Sequence, residues 1–474
     1  MAGFIGRSTQ LAELTRILDQ IASSSDDKPG RALLMRGRRR VGKSSLVEKF
    51  LDQSGVPGVF FAASKQSTPE ELRLFGQAVL ESNLPNRSAF EGVVFTSWDA
   101  ALRLLDNILP TNGPSLVIID ELPYLMEPDH AFEGTLQKIF DRDFSRKKVL
   151  LIGIGSDLAM MEALNEYNRP FHQRATEMVI PPLSPAEVAD MVGLNAADAF
   201  DAYLITGGLP MICQDWQKGQ TTWKFLKGSL TRSTSPLIVS GERSLAAEFP
   251  SSPQARTILT AIGSGSRTFT NIAQAAGGLQ QKSVQRGLEV LVNKRIVVVD
   301  VPLSTKKSSN TRYRITDPYL QFWLRFIGPN LPEIERSSGE RVFEKVKGAW
   351  ASWRGLAIEP IIRESLERIP NPKIATQAPV VGSYWTRTNQ PEIDIVVADS
   401  EPIAKTIYEV GSIKWYENKP FGASDLKSLI QASGQLPGTT AATQLVVVSR
   451  SGFKLTSEPN IRQVSPSDLL NAWR

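Results

Sequence analysis

A run of eight residues, 37–44, constrains the fold of this chain more than any other feature. The run is Gly-Arg-Arg-Arg-Val-Gly-Lys-Ser and fits the pattern G-x-x-x-x-G-K-[ST]. The apolar residues 32–35 before it predict a short buried strand, and residues 44–51 predict an amphipathic helix. A strand, a glycine-containing loop and a helix direct backbone N–H groups and the positive end of the helix at one anion. The run therefore predicts a phosphate-binding loop in an α/β fold.

Each part of this loop has an expected role in holding nucleotide phosphates. Gly37 and Gly42 let the backbone turn tightly and approach a phosphate without a Cβ in the way. Lys43 is expected to reach the β- and γ-phosphates, and the Ser44 hydroxyl is expected to ligate Mg²⁺. The alternative is a simple turn between a strand and a basic helix, since Gly- and Lys-rich loops also match the pattern by chance.

A second motif, residues 115–121, points to the same chemistry. Its sequence Ser-Leu-Val-Ile-Ile-Asp-Glu is an apolar run followed by two acids. Such a run is typical of a strand covered on both faces of a parallel sheet, and ligands bind at the carboxyl ends of those strands. Asp120 is expected to hold Mg²⁺ through water, and Glu121 to polarise the attacking water. The alternative is a pair of acids at a helix N-terminus, but together the two motifs favour a nucleotide hydrolase.

The composition limits the class of protein. The 474 residues predict two to four domains, and a hydrophobic content of 41% is ample for their cores. The single cysteine, Cys213, excludes an intramolecular disulfide and fits a reducing cytosol, so we expect a cytoplasmic protein. No apolar run approaches the ~20 residues that span a bilayer. The charge balance, 54 basic against 49 acidic residues, permits nucleic-acid contact without requiring it.

Strand and helix patterns alternate over the first 183 residues. Alternation of this kind predicts βαβ units and a mainly parallel sheet. The predicted strands lie near residues 32–36, 58–63, 115–119, 148–154 and 177–181. From residue 184 to 250 the pattern becomes helical, which predicts a separate helical segment after the sheet.

Residues 251–330 predict a winged helix-turn-helix. Three short helical patterns precede two extended runs, 296–301 and 311–315, which flank the polar loop 304–310. The expected phosphate contacts are Lys282, Arg286, Lys306, Lys307, Arg312 and Arg314. The alternative is a packing module between proteins or domains, with these charges merely solvated.

Five segments together resemble the archaeal-type P-loop ATPase family, which is related to the AAA+ and STAND proteins. Residues 4–7 (Phe-Ile-Gly-Arg) are similar to the family's FVGRE box, and residues 37–44 to its GRRRVGKT loop. Residues 120–125 resemble its DEFPYL motif, residues 153–156 its CGSS strand end, and residues 207–210 its GGIP motif in the helical lid. The resemblance implies a winged helix and a PD-(D/E)XK nuclease-like domain after the ATPase.

The resemblance also implies a set of site residues. Those at the nucleotide would be Phe4, Ile5, Gly6, Arg7, Gly37, Arg38, Arg39, Arg40, Val41, Gly42, Lys43, Ser44, Ser45, Gly208 and Pro210. Those that act in catalysis would be Lys43, Asp120, Glu121, Ser156 and Arg174, with Ser156 as a sensor and Arg174 as a cationic finger at the γ-phosphate. The alternative for Arg174 is a surface arginine paired with Glu177. The alternative for residues 38–40 is simple solvation.

The C-terminal part, residues 340–474, departs from the nuclease pattern at one position. Asp394 and Lys414 match the first acid and the lysine, but Ser412 stands where the family has a second acid. Glu359, on the preceding helix, could supply a carboxylate for a metal beside Asp394. Strand alternation places Glu409 on the face opposite Lys414. The alternatives are an active nuclease and a degenerate nuclease fold kept for binding DNA or protein.

These observations predict an α/β protein in four parts. A P-loop ATPase core would occupy residues 1–183, a helical lid 184–250, a winged helix 251–330 and a PD-(D/E)XK-like domain 340–474. The expected activity is hydrolysis of ATP with Mg²⁺, leaving ADP, coupled to the attached domains and to DNA, another copy of the chain or a protein partner. The alternatives are an ATP-gated nuclease and a nucleotide-dependent switch that is not an enzyme.

Overall fold

The computed structural model describes residues 5–156, 158–164, 166, 167, 169, 174–248, 252–455 and 461–474. The chain divides into two compact units, Met1–Pro182 and Leu183–Arg474. In the part of the chain that is described, no helix combines the length and the apolar character that a bilayer crossing requires.

The first unit is built on a five-stranded parallel sheet, which confirms the predicted sheet type. Its strands are β1 Arg31–Arg36, β2 Gly58–Ala62, β3 Ser115–Asp120, β4 Val149–Gly155 and β5 Ala175–Val179. They lie in the order β2-β3-β4-β1-β5, and every neighbouring pair is parallel. Every residue of β3 and β4 is buried, as expected for strands covered on both faces. The order inserts β4 between the strand before the phosphate loop and the strand that ends in Asp120.

Helices cover this sheet, and aromatic side chains of two of them pack against strand β2. They are α1 Ser8–Ser23, α2 Lys43–Ser54, α3 Thr68–Glu81, α4 Trp98–Ile108, α5 Pro123–Met126, α6 Phe132–Arg142 and α7 Leu158–Ala163. Phe61, Phe75 and Trp98 pack together, with ring centroids of the first two 5.4 Å apart and of the last two 5.5 Å apart. Edge-to-face packing of this kind adds directional stabilisation to the burial of three large rings.

The second unit begins with a helical region. Its helices are α8 Pro185–Val192, α9 Ala196–Thr206, α10 Pro210–Gln214, α11 Thr222–Leu230 and α12 Pro236–Glu248. Ser184 and Glu187 form a capping box at the start of α8, which satisfies two backbone donors there. Gly207 ends α9 with a φ of 59°, a left-handed conformation that glycine adopts without a steric penalty.

Three helices and a two-stranded hairpin follow, at the place predicted for the winged helix. The helices are α13 Pro253–Gly263, α14 Phe269–Ala275 and α15 Gln281–Asn293, and the hairpin is β6 Val297–Asp300 with β7 Arg312–Ile315. The two strands pair antiparallel. We call residues 253–315 the helix–hairpin segment.

The last part of the second unit contains a mixed sheet. Its helices are α16 Pro318–Phe322, α17 Leu331–Glu335, α18 Gly339–Ala357, α19 Glu359–Arg368, α20 Ala423–Ser433 and α21 Pro466–Asn471. Its strands are β8 Val380–Trp385, β9 Glu392–Ala398, β10 Ile407–Lys414, β11 Gln444–Ser449 and β12 Ile461–Val464. They lie in the order β12-β11-β10-β9-β8; β8, β9 and β10 pair antiparallel, while β10, β11 and β12 pair parallel.

The hairpin is packed onto this sheet through the residues that follow β6. The Leu303 backbone N–H donates to the Ser383 carbonyl at 2.8 Å, and Ser304 forms a bridge with Ile403. The Leu303 side chain belongs to the same buried cluster as Val396. The start of the loop between β6 and β7 is therefore a packing element, whereas Lys306 and Lys307 in the same loop are exposed.

Candidate functional site

The amino-terminal segment contacts the phosphate loop. Arg7 is 3% exposed, and its Nη2 donates to the Val41 carbonyl at 2.7 Å. Ile5 and Gly6 precede it and are partly buried, while Phe4 lies outside the described residues. Arg7 therefore joins two of the segments on which the resemblance rests. The predicted contact of residues 4–7 with adenine or ribose stays a prediction.

Two positions of the loop, 37 and 42, have a backbone geometry that favours glycine. Gly42 is the N-cap of α2 with a φ of 87°, so its carbonyl can accept the first helical hydrogen bond, from Leu46 N at 3.0 Å. A Cβ on Gly37 would lie 2.4 Å from the Ile180 carbonyl oxygen, a distance at which the backbone would have to move. Gly42 is therefore favoured by its left-handed backbone, and Gly37 by the close approach of the Ile180 carbonyl.

Lys43 is buried inside the loop that surrounds it. It is 7% exposed, and its Nζ donates to the carbonyls of Gly37 at 2.8 Å and Arg38 at 3.0 Å. Burial lowers the pKa of Lys43 to about 8, although the nearby carboxylates of Glu121 and Asp120 act in the opposite direction. The ammonium is therefore the main form at neutral pH. A polyphosphate would offer this cation a stronger acceptor than the two carbonyls.

The acidic pair lies at the carboxyl edge of the sheet, where β4 brings a third residue to it. Asp120 ends β3, is 6% exposed, and accepts the Glu121 N–H at 2.9 Å. The Ser156 hydroxyl, directly after β4, lies 2.9 and 3.0 Å from the two carboxylate oxygens of Glu121. Glu121 has a φ of 51°, a left-handed conformation that few non-glycine residues adopt. Strain at such a position often marks a functional residue.

These residues fit a magnesium ion bound together with a nucleotide. Mg²⁺ in such sites keeps several waters and takes one or two protein ligands plus phosphate oxygens. Ser44, in the first turn of α2, and Asp120, at the end of β3, supply a hydroxyl and a carboxylate of the required kinds. Among the described residues there is no group of three or more His, Cys, Asp or Glu side chains that could hold a metal alone.

Arg174 lies away from the loop of its own chain. It directly precedes β5, whose Ala175 is in register with Ala32 near the start of β1, while the loop follows the end of β1. That separation is roughly 20 Å along the strands. Arg174 forms an ion pair with Asp141 at 3.0 Å, whereas Glu177 pairs with Arg36 at 3.0 Å. The geometry does not support a finger acting within one chain, and Arg174 pairs with Asp141 on the surface.

The three loop arginines differ in their surroundings. Arg39 is exposed, and its Nη2 donates to the Tyr124 hydroxyl at 3.1 Å, which links the loop to the segment after Asp120. Arg38 and Arg40 are partly buried, and each has a partner within the chain, so simple solvation does not describe them. Val41 is fully buried and Ser45 is exposed.

Gly208 and Pro210 are explained by the local structure of the second unit. Gly208 has a φ of 68°, and its carbonyl accepts the Leu183 N–H at 2.9 Å. A Cβ at Gly208 would lie 2.1 Å from the Leu183 carbonyl oxygen. Pro210 begins α10, where a missing N–H has no cost. Their predicted contact with nucleotide stays a prediction.

The C-terminal sheet brings Asp394, Glu359 and Lys414 together. Burial and, to a smaller extent, the Asp394 carboxylate raise the pKa of Glu359 to about 7, against the opposing charges of Arg363 and Arg267. Burial also raises the pKa of Asp394, against the hydrogen bond from Ile413 N and the charge of Lys414. The effect of the Asp394 carboxylate on the pKa of Glu359 places the two carboxylates close enough to interact.

These residues do not fit the metal site of an active nuclease. Asp394 Oδ2 already accepts the Ser412 hydroxyl at 3.0 Å and the Ile413 N–H at 2.8 Å. Ser412 therefore occupies the second acid's position with a donor directed at the first acid. Glu409 is 1% exposed and accepts from Asn371 at 2.8 Å, away from Lys414 as strand alternation predicts. A two-metal mechanism lacks the ligands that it needs here.

A buried network that no sequence motif indicated joins the helical region to the C-terminal sheet. Arg354, on α18, is 2% exposed, and its Nη1 lies 2.7 Å from Asp201 on α9 and 2.9 Å from Glu417. Trp415 Nε1 donates to the other Asp201 oxygen at 3.1 Å, and Arg450 contacts Asp201 at 3.1 Å. The indole of Trp415, directly after Lys414, therefore contacts the helical region.

Comparisons with known proteins agree with this fold. Residues 323–424 match the family DUF234, described as Archaea bacterial proteins of unknown function. The chain is 24% identical to the uncharacterized protein MJECL04 of Methanocaldococcus jannaschii over 423 residues, 88% of each chain. It resembles the structure of the Walker-type ATPase PABY2304 of Pyrococcus abyssi with a TM-score of 0.50 and 19% identity, over 68% of this chain and 96% of that one. The chain therefore has the fold of a Walker-type ATPase followed by a DUF234 region.

Proposed function

We propose that this chain binds Mg-ATP on residues 37–44, hydrolyses its γ-phosphate, and transmits its nucleotide state to the second unit. The observation that carries the proposal is the position of Lys43. A buried ammonium is held by loop carbonyls, at the amino end of α2, in the field of Asp120 and Glu121. A buried cation beside free backbone donors of a helix N-terminus is the arrangement that binds polyphosphate.

The reaction is attack of water on the γ-phosphate. Lys43 and the loop amides stabilise the charge that the phosphate oxygens carry in the transition state. Ser44 and Asp120 would hold Mg²⁺, which neutralises charge between the β- and γ-phosphates. Glu121 orients the water. The contact with the Ser156 hydroxyl fixes the Glu121 carboxylate at 2.9–3.0 Å, so Ser156 acts as the positioning residue for it.

The second unit is suited to move as one body when the nucleotide changes. The Asp201–Arg354 pair ties helix α9 to α18, and Trp415 extends the tie to the strand β10. Leu303 and Ser304 tie the helix–hairpin segment to the same sheet. A displacement of the helical region would therefore carry the hairpin and the C-terminal sheet with it. Packed interfaces of this kind transmit small shifts as rigid-body motion.

Contact with DNA is supported by four of the six cations that the sequence indicated. Lys282, Arg286, Lys306 and Lys307 are exposed. Arg312 and Arg314 instead pair with Glu392 at 2.6 Å and Asp300 at 2.8 Å, so they are less suited to phosphates on an open surface. The alternative of an ATP-gated nuclease loses support because Ser412 donates to Asp394. The C-terminal sheet is better suited to binding and relay than to cleavage.

The experiment that tests this proposal is phosphate release from ATP by wild type, Lys43→Ala and Lys49→Ala. Removing Lys43 deletes the cation that meets the β- and γ-phosphates, so we expect turnover to fall by about 100-fold or more. Lys49 lies on the same helix outside the loop, and its variant should keep turnover within about twofold. The three proteins are compared with and without duplex DNA.

Equal turnover in wild type and Lys43→Ala would contradict the proposal. So would a wild type that binds no nucleotide by calorimetry. Tight nucleotide binding without phosphate release, with or without DNA, would favour the switch that is not an enzyme.

A further inference from the structure

A cavity of about 260 Å³ lies within the second unit, between the helix–hairpin segment and helices α18 and α19. Its lining is dominated by cations. Five arginines contribute to it, against two carboxylates, Asp300 and Glu359. The arginines are Arg267, Arg312, Arg314, Arg325 and Arg363. A cavity of this size is near the lower end of ligand sites and matches one small polar ligand.

Three of the arginines are neutralised by acids of the chain. Arg314 makes two hydrogen bonds to Asp300, at 2.8 and 3.0 Å. Arg312 pairs with Glu392 at 2.6 Å and covers the Trp385 ring at 4.4 Å. Arg363 lies 3.5 Å from Glu359 and donates to the Asp394 carbonyl at 2.9 Å. In each of these three arginines, a neighbouring carboxylate of the chain balances the positive charge.

Two arginines form no ion pair with an acid of the described residues. Arg325 donates to a neutral acceptor, the Ser264 carbonyl, at 2.8 Å. The Arg267 guanidinium makes no hydrogen bond and no ion pair within the described parts of the chain. Burial lowers the pKa of Arg267, and the neighbouring cations Arg312 and Arg363 add to that effect while Glu359 opposes it. Arg267 is partly buried, and a guanidinium without a protein acceptor can donate to a bound anion.

A second unused donor belongs to the same lining. The indole Nε1 of Trp353 is buried and has no hydrogen-bond partner among the described residues. Trp353 and Tyr313 contribute aromatic surface to the cavity, which Arg267 and Arg325 also line. Cations together with aromatic faces and spare N–H donors form the combination that holds a phosphate and the base attached to it.

We propose that this cavity binds a phosphate ester, held by Arg267 and Arg325, and that its natural source is one nucleotide of a single nucleic-acid strand. Arginine is the residue best shaped for phosphate because its fork of donors matches two oxygens. Glu359 lines the cavity and also lies near Asp394, which together with Lys414 matches the nuclease pattern. A nucleic-acid strand can extend from the cavity towards these residues, whereas a free nucleotide cannot, so we favour the strand. The proposal does not rest on ATP hydrolysis, which involves only residues of the first unit.

The test measures fluorescence anisotropy of a labelled 12-nucleotide oligothymidylate bound to the full chain at several salt concentrations. Arg267→Gln should weaken binding by about tenfold and reduce the salt slope by about one. Ser352→Trp, which adds bulk at an exposed position of the lining without changing charge, should weaken binding to a similar degree. Arg336→Gln removes one exposed positive charge outside the lining and should change binding by less than about twofold.

Two further measurements, thermal melting and titration with a single nucleotide, complete the test. Thermal melting of every variant checks folding, and we expect Arg267→Gln to melt no lower than wild type because it removes an unpaired half-buried charge. Thymidine monophosphate is titrated in parallel: binding that depends on Arg267 but exceeds that of the strand would support the phosphate site and contradict the strand as its source. Folded Arg267→Gln and Ser352→Trp proteins that bind both ligands like wild type would overturn the proposal, whatever the rate of ATP turnover.

Discussion

Glu121→Gln is expected to lower ATP turnover by about 10²–10³-fold while leaving the affinity for ATP within about twofold. The amide keeps the size of the side chain but removes the negative charge that orients and polarises the attacking water. Binding depends instead on Lys43 and the loop backbone, which the substitution leaves in place. The Ser156 hydroxyl can still donate to the amide oxygen, so the position of the side chain is retained. Phosphate release and calorimetric titration separate the two effects.

Glu127→Gln is the matched control for this variant. Glu127 lies six positions further along, is more than half exposed, and pairs with Lys65 at 2.8 Å on the surface. Its substitution removes the same charge from the same region, and turnover should stay within about twofold. Wild-type turnover in Glu121→Gln would contradict the role that we give to this carboxylate. A loss of ATP binding in Glu121→Gln would instead show that the charge serves the nucleotide site itself.

Arg354→Met is expected to lower the free energy of unfolding of the second unit by about 3–5 kcal/mol. The variant leaves the Asp201 carboxylate buried with fewer cationic partners, since Arg354 and Arg450 share it in the native protein. Denaturant unfolding followed by tryptophan fluorescence reports this unit, because eight of the nine tryptophans lie after residue 183. If this pair joins α9 to the C-terminal sheet, the loss of stability should lower the denaturant concentration at the unfolding midpoint. The slope of the unfolding free energy against denaturant concentration should change little.

A second single variant serves as the control for Arg354→Met, and a double variant tests whether the lost stability can be recovered. Arg256 forms an exposed pair with Glu242 at 3.3 Å, and Arg256→Met should cost less than about 1 kcal/mol. Combining Arg354→Met with Asp201→Leu replaces the buried pair with apolar groups and should recover part of the lost stability. A loss below about 1 kcal/mol in Arg354→Met would contradict the role of this network as the tie between the helical region and the sheet.

Local pattern was sufficient to predict the sheet of the first unit. Residues 116–119 are all apolar, and residues 149–155 contain only apolar residues and glycine. Both faces of these strands are covered, so a short window of sequence carries the full signal. The same holds for the helix that begins at Lys43. Strand β12 carries little local signal, because its sequence, Ile-Arg-Gln-Val, offers only two apolar residues and its pairing with β11 is parallel and non-local.

The arrangement of side chains from distant segments could not be predicted in this way. The position of Arg174 depends on the register of β5 against β1, which no local pattern specifies. The contact of Ser156 with Glu121 follows from the strand order, which inserts β4 beside β3. Asp201 and Arg354 are 153 positions apart, and each is an ordinary helix residue until the fold buries them together. Arg267 belongs to no motif; it stands out because it lines the cavity and its guanidinium has no hydrogen bond within the described residues.

The most direct test of the central claim is a crystal structure of the chain with Mg²⁺ and a non-hydrolysable ATP analogue. We expect the β- and γ-phosphates on the backbone N–H groups of residues 40–44, with Lys43 Nζ moved from the Gly37 and Arg38 carbonyls to the phosphate oxygens. Mg²⁺ should contact Ser44 and lie beside Asp120. An analogue bound elsewhere, or a loop that retains both Lys43–carbonyl hydrogen bonds at saturating analogue, would contradict the account.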